Sequence, residues 1–209
     1  MSLFIPVTVG ERKVSDIAQD RRRLLIATSG AGVVAAAATA VPFVASLTPS
    51  ERARAAGAPV AADVSALRVG EMMTVEWRGK PVWILRRTPG MLARLEAHED
   101  RLADPVSAEP MQPGYAANRH RSINPEYLVV VGICTHLGCS PSGKFAPGTT
   151  SGMPADWPGG FLCPCHGSIF DLAGRVFLSQ PAPVNLEVPP HAWLSATTLV
   201  VGEDESGQA

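Results

Sequence analysis

Cys134-Thr135-His136-Leu137-Gly138-Cys139 and Cys163-Pro164-Cys165-His166-Gly167-Ser168 are the two stretches on which the reading of this chain turns. They hold all four of its cysteines and two of its five histidines. Each box joins one Cys–His pair to one further cysteine, so together they offer two thiolates, two imidazoles and a spare cysteine pair. Thiolates are soft donors suited to iron–sulfur centres and zinc, and imidazole suits zinc, iron and copper. Structural zinc sites usually set their cysteines about two to four residues apart and keep their histidines together. Here each pair mixes Cys with His, which fits a cluster with one iron on thiolates and the other on imidazoles. Spacing alone leaves zinc open.

With these residues in view, the chain resembles the Rieske iron–sulfur proteins, whose 2Fe–2S centres carry two histidines on one iron. The second cysteine in each box narrows the resemblance to the Rieske subunits of quinol-oxidising cytochrome bc complexes. The resemblance implies Cys134 and Cys163 on the buried iron, His136 and His166 on the outer iron, and a disulfide between Cys139 and Cys165. It also makes Ser168 a hydroxyl donor to a bridging sulfide, and places Gly138 and Gly167 where backbone N–H groups can approach the sulfurs. Gln180-Pro181-Ala182-Pro183-Val184-Asn185-Leu186 is similar to the family's proline loop, with Pro181 shielding the cluster, and Leu137 belongs to an apolar rim. Two positions depart from the pattern. Phe170 stands where the family commonly has Tyr, which removes a hydroxyl donor to a ligand sulfur and implies a lower reduction potential. Gln180 stands where Gly is common, which bears on the turn entering the proline loop. His98, His120 and His191 have no ligand spacing around them and read as structural.

The N-terminus indicates how such a head is held. Residues 24–47 carry no charge, a run of roughly 36 Å as a helix and long enough for a hydrocarbon core of about 30 Å. Directly before it, Asp20-Arg21-Arg22-Arg23-Leu24-Leu25 resembles a twin-arginine export signal, as expected where a cofactor is inserted before translocation. Positive charge precedes the span more than it follows it, so the N-terminus is expected in the cytoplasm and the head in the periplasm. A cleaved signal peptide, with Ala38-Thr39-Ala40 or Ala53-Arg54-Ala55 at the cut, is the alternative. Fourteen of the 24 residues are Ala, Gly, Ser or Thr, which favours packing against partner helices.

A formal net charge of −1 gives no basic excess for nucleic acid, and two cysteines left for a disulfide imply an oxidising compartment. The expected organisation is residues 1–23 as a cytoplasmic tail with the export signal, 24–47 as the transmembrane anchor and 48–66 as a flexible hinge. A Rieske domain follows over 67–203, with its cluster-binding part at about 131–184, then a tail at 204–209. The fold class is all-β: an antiparallel sheet sandwich with a cluster-binding subdomain and one inserted helix, on a single N-terminal transmembrane helix. Strands are expected at 73–77 and 82–87 as a hairpin, and at 128–133 leading into the first box. Further strands are expected at 168–171, 175–178, 186–188, 193–196 and 198–201. Thr88 and Pro89 start a helix over 89–103, and a loop excursion fills 141–160.

The resemblance implies the electron-transfer subunit of a quinol–cytochrome c oxidoreductase in a bacterial inner membrane. Its cofactor is one 2Fe–2S cluster. Its partners are cytochrome b, a membrane-anchored c-type cytochrome, quinol and membrane lipid, in a complex expected to be dimeric. His166, with His136 the lesser candidate, is expected to take the quinol proton, because iron's charge makes a bound imidazole easier to deprotonate. The other readings are the small Rieske subunit of a periplasmic molybdenum enzyme such as arsenite oxidase, and a structural zinc domain.

Overall fold

Strand β4 of the head, Tyr127–Val131, is buried at every position, and the strand beside it explains why. A computed structural model describes residues 14–50 and 57–206. The chain divides into two units, Met1–Arg52 and Ala53–Ala209. In the second, β2 (Met72–Trp77), β3 (Lys80–Arg86) and β4 form one antiparallel sheet in that order. Side chains alternate across a strand. Val82 and Ile84 of β3, with Tyr127, Val129 and Val131 of β4, therefore enter one core, while Trp83, Leu85, Leu128 and Val130 enter another. A sheet buried on both faces reads as a continuous apolar run, which is how 128–133 looks in the sequence.

The first core is closed by a sheet of order β1-β9-β8, comprising Val60–Asp63, Thr198–Val201 and His191–Trp193. The second lies against the sheet β5-β6-β7, comprising Ser142–Lys144, Gly160–Leu162 and Ile169–Asp171. Phe161, Phe170, Leu172 and both free cysteines belong to that core. All three sheets are antiparallel.

In the first unit, helix α1 spans Val14–Ser46 and contains a stretch long and apolar enough to cross a membrane. It starts well before the uncharged run, so the twin arginines are helical and not part of an irregular tail. The expected hinge, 48–66, is shortened from its C-terminal side. Residues 60–63 pair with β9, and Val64 is buried beyond them. Only Ala62 of β1 is buried, so no apolar pattern announced this strand. Residues 51–56 of that stretch lie outside the described residues.

Three other expectations need correction. The inserted helix α2 covers only Pro89–Arg94. Thr88 caps it as read from the sequence, its Oγ1 accepting the Met91 N–H at 3.0 Å. Its far end is set by tertiary bonds: the Leu95 carbonyl accepts from Arg175 Nη2 at 2.8 Å, and His98 is drawn to Asp171. Residues 175–178 make only single bridges, because side chains hold the N–H groups a ladder would use. The Asp171 carboxylate accepts the Arg175 N–H and the Asn185 carboxamide oxygen the Val176 N–H, both at 2.8 Å. Residues 186–188 bond singly to several partners, since Pro183, Pro189 and Pro190 around them cannot donate to a ladder. Conversely, β5 and β6 sit at the ends of the stretch read as loop.

Candidate metal centre

The two boxes fold into the same turn. Cys134 donates its N–H to the Cys139 carbonyl at 2.7 Å, and Gly138 donates back to the Cys134 carbonyl at 3.1 Å. In the second box Cys163 donates to the Ser168 carbonyl at 2.8 Å, and Gly167 to the Cys163 carbonyl at 3.0 Å. Both glycines stand in the left-handed region, φ +80° at Gly138 and +77° at Gly167, which a Cβ disfavours. Rigid supports carry the turns. The first follows β4 through Gly132, where a Cβ would run into the Trp83 indole. The second is the six-residue connection of the hairpin β6–β7, between the paired residues Leu162 and Ile169.

This repetition aligns Cys134 with Cys163 at the base of each turn. Both are free, buried thiols. His136 is half-buried and His166 exposed, with ring centroids 4.7 Å apart and planes nearly perpendicular. Cys139 and Cys165 form a disulfide that ties the two turns together. The sulfurs of Cys139, Cys163 and Cys165 lie within 4.8 Å of one another, but oxidation of two of them leaves only Cys163 as a donor there. Leu137 in the first turn is 70% exposed, and Pro181 of the proline loop is also exposed.

The donor set fits an iron–sulfur cluster. His136 Nδ1 is buried with no hydrogen-bond partner, a costly state for a polar atom unless something binds it. Two unpaired buried thiols and two adjacent imidazoles supply the sulfur and nitrogen ligands of a mixed-ligand centre. Burial pushes the Cys134 thiol up, with the neighbouring Cys163 acting the same way, while the His136 backbone N–H and the Ser168 hydroxyl oppose it. The thiolate a metal requires therefore depends on those donors and on the metal itself.

Ser168 is fully buried, and its Oγ accepts the Ala182 N–H at 3.0 Å. Phe170 is fully buried opposite Phe161 and bridged to Val176. The Gln180 carboxamide is bonded elsewhere, its Nε2 donating to the Leu178 carbonyl at 3.3 Å and its Oε1 accepting the Ile169 N–H at 3.2 Å. Its departure from Gly leaves the turn intact, since the left-handed residue there is Ser179, φ +58°. His98 lies 3.4 Å from Asp171 and stacks on Phe177, and His191 Nδ1 is 2.9 Å from the Pro189 carbonyl, in keeping with structural roles.

Sequence reasoning passed over Thr135, whose hydroxyl donates to the Val184 carbonyl at 2.7 Å and fastens the first turn to the proline loop. Its place inside a ligand box was the available signal. Asn185, anchoring the same loop to Val176 and Asp104, gave none beyond a polar residue in an apolar stretch.

Residues 58–190 match the Rieske [2Fe-2S] domain, and residues 13–50 match the family described as the ubiquitinol-cytochrome C reductase Fe-S subunit TAT signal. The chain is 57% identical over 187 residues to the ubiquinol-cytochrome c reductase iron-sulfur subunit of Allochromatium vinosum, covering 88% of this chain and 89% of that one. It is 40% identical over 192 residues to the subunit of the same name from Blastochloris viridis, covering 90% and 96%. A chain of a hyperthermophilic respiratory complex III is 24% identical, with 83% and 97% covered and a TM-score of 0.45. Fold and donor set define a Rieske-type iron–sulfur protein, and the chain belongs to the Rieske [2Fe-2S] family, with one 2Fe–2S cluster as its cofactor. Its place there is among the iron–sulfur subunits of ubiquinol-cytochrome c reductase, a respiratory oxidoreductase. The export-signal match and the long apolar helix fit a membrane-anchored subunit.

Proposed function

We propose that this chain carries single electrons from quinol to a c-type cytochrome of the same membrane complex. Cys134 and Cys163 would hold one iron of the cluster and His136 and His166 the other. When bound, the cluster supplies a one-electron acceptor at the tip of the head. His166, the more exposed imidazole, accepts a hydrogen bond from a quinol hydroxyl at its outward ring nitrogen and then takes that proton; His136 is the lesser candidate. Leu137 and Pro181 present the apolar edge that a quinone ring can meet. Ser168 supplies a hydroxyl proton to a sulfur, and the disulfide holds the two turns in register. The observation that carries this reading is the juxtaposition of a half-buried and an exposed imidazole, one with a buried and unpartnered nitrogen, in the two turns whose free thiols are buried.

On this reading α1 is a retained anchor in the inner membrane, with the N-terminus cytoplasmic and the head periplasmic. The partners are cytochrome b and a membrane-anchored c-type cytochrome, in a dimeric complex surrounded by lipid. The residues ahead of β1 act as the hinge on which the head travels between its two partners. Purification from detergent-solubilised membranes tests the assembly: b- and c-type haem should accompany the chain, with the low-temperature paramagnetic signal of a reduced 2Fe–2S centre. A soluble molybdenum partner instead would favour the alternative oxidoreductase. Redox titration tests the proton: at alkaline pH the midpoint should fall by about 59 mV per pH unit once one proton accompanies the electron. A midpoint flat across the alkaline range would remove the imidazoles from proton uptake.

A further inference from the structure

The proline loop has few hydrogen bonds of its own, because Pro181 and Pro183 have no N–H to give. It is held from outside, and two of its clasps close on adjacent residues of the second ligand turn. Ala182 donates its N–H to Ser168 Oγ at 3.0 Å. Two residues earlier, Gln180 Oε1 accepts the N–H of Ile169, the residue after Ser168, at 3.2 Å. The other end of that carboxamide, Nε2, is spent on the Leu178 carbonyl at 3.3 Å, which fixes the plane of the amide across the loop entrance. Gln180 lies outside the left-handed region, the strained position falling on Ser179, so a side chain is sterically free to act here.

The consequence reaches the Ser168 hydroxyl. A hydroxyl has one proton to donate and lone pairs to accept with. In a fully buried site, the N–H of Ala182 occupies the accepting side of Ser168 Oγ and leaves the proton to be donated elsewhere. If the loop entrance slid by a fraction of an ångström, Ala182 would leave Oγ and the hydroxyl would be free to rotate.

We infer that Gln180 is a positioning residue for the Ser168 hydroxyl: its carboxamide pins the proline loop so that the Ala182 N–H stays on Ser168 Oγ and directs the hydroxyl proton at the sulfur site. This rests on the reading of Ser168 as a donor to cluster sulfur, and the test separates the two. Gln180→Met keeps the length of the side chain and removes both its hydrogen bonds; Gln180→Ala removes the stem as well. In redox titrations of the full chain, each should shift the reduction equilibrium two- to fivefold against reduction, a fall of about 18 to 41 mV at 59 mV per tenfold. Ser168→Ala should lower the midpoint further, and Gln180→Met added to it should do nothing more, since the residue acts through the hydroxyl. Amide exchange at Ala182, read on the same chains with or without cluster, should quicken in both Gln180 variants. A Gln180→Met shift that persists undiminished in the Ser168→Ala background, or unchanged Ala182 exchange, overturns the positioning role. A Ser168→Ala midpoint equal to the native value overturns the reading beneath it.

Discussion

Phe170 stands on β7 with its ring wholly buried and no polar atom to offer the sulfurs. A hydroxyl donated to a ligand sulfur favours the electron-rich reduced form, so Phe170 should hold the potential below that of a chain with Tyr in its place. Phe170→Tyr should raise the midpoint by roughly 20 to 60 mV, taking a net hydrogen bond as about 0.5 to 1.5 kcal/mol. A Tyr hydroxyl seen within bonding distance of Cys134 sulfur with the midpoint unmoved would refute this. Its neighbour Asp171 sets a pH dependence. Burial by itself would raise this carboxyl, but His98, Arg175 and two backbone N–H groups outweigh burial and hold it below the ordinary carboxylate range. Its folded value is depressed, so the stability it contributes is fully present above the unfolded value of about 3.9 and is lost as pH falls through the folded one. Asp171→Asn leaves Arg175 without its buried counter-charge and should cost about 3 to 5 kcal/mol at neutral pH. Denaturant titrations of both proteins should show that gap closing below about pH 4; a gap constant down to pH 2 would mean the carboxylate charge does no stabilising. At this scale the candidate ligand residues stood out in the sequence, because few side chains bind iron. The clasp residues Thr135 and Asn185 did not, because a hydroxyl or carboxamide suits so many partners.

At the scale of elements, the disulfide joins the turn after β4 to the turn inside the β6–β7 hairpin, across 26 residues of sequence. Without it each turn keeps its own pair of backbone bonds but loses its fixed relation to the other. Cys139→Ser should destabilise the head by about 2 to 5 kcal/mol and make the cluster labile. Calorimetry and the loss of visible absorbance with time check this; a full cluster content with an unchanged Tm would show that the proline-loop clasps suffice. The strands legible in the sequence were those with a strong pattern: the β2–β3 hairpin around Arg78-Gly79, both in the left-handed region, and the doubly buried β4. Those missed are short, and two of them are weakly apolar. β1 buries one alanine and β5 none of its three residues, so the partner strand made them strands. The overestimated helix shows the same rule in reverse, because Arg175 claims the Leu95 carbonyl that extending α2 would use.

For the whole molecule, the issue is whether the head must travel. On the proposed reading the hinge lies ahead of β1, because sheet pairing begins at Val60. Proline substitutions within 54–56 should slow reduction of the c-type haem while leaving the cluster's spectrum and midpoint unchanged, since stiffening a linker restricts reach without touching the site. Flash or stopped-flow kinetics on the intact complex would show it, and an unaltered haem reduction rate would argue against head movement. Legible in the sequence by itself were the two Cys–His boxes, the proposed ligands and disulfide partners through family resemblance, the apolar span and the all-β class. Each of these is written in local chemistry: thiols and imidazoles at fixed spacing, an uncharged run, alternation along strands. Only the tertiary structure decided where β1 begins, how far α2 runs, that Ser179 and not Gln180 makes the strained turn, and that the proline loop is clasped onto both ligand turns. Those features depend on which N–H meets which oxygen across tens of residues, and no local pattern encodes a bond whose two ends are apart in the chain.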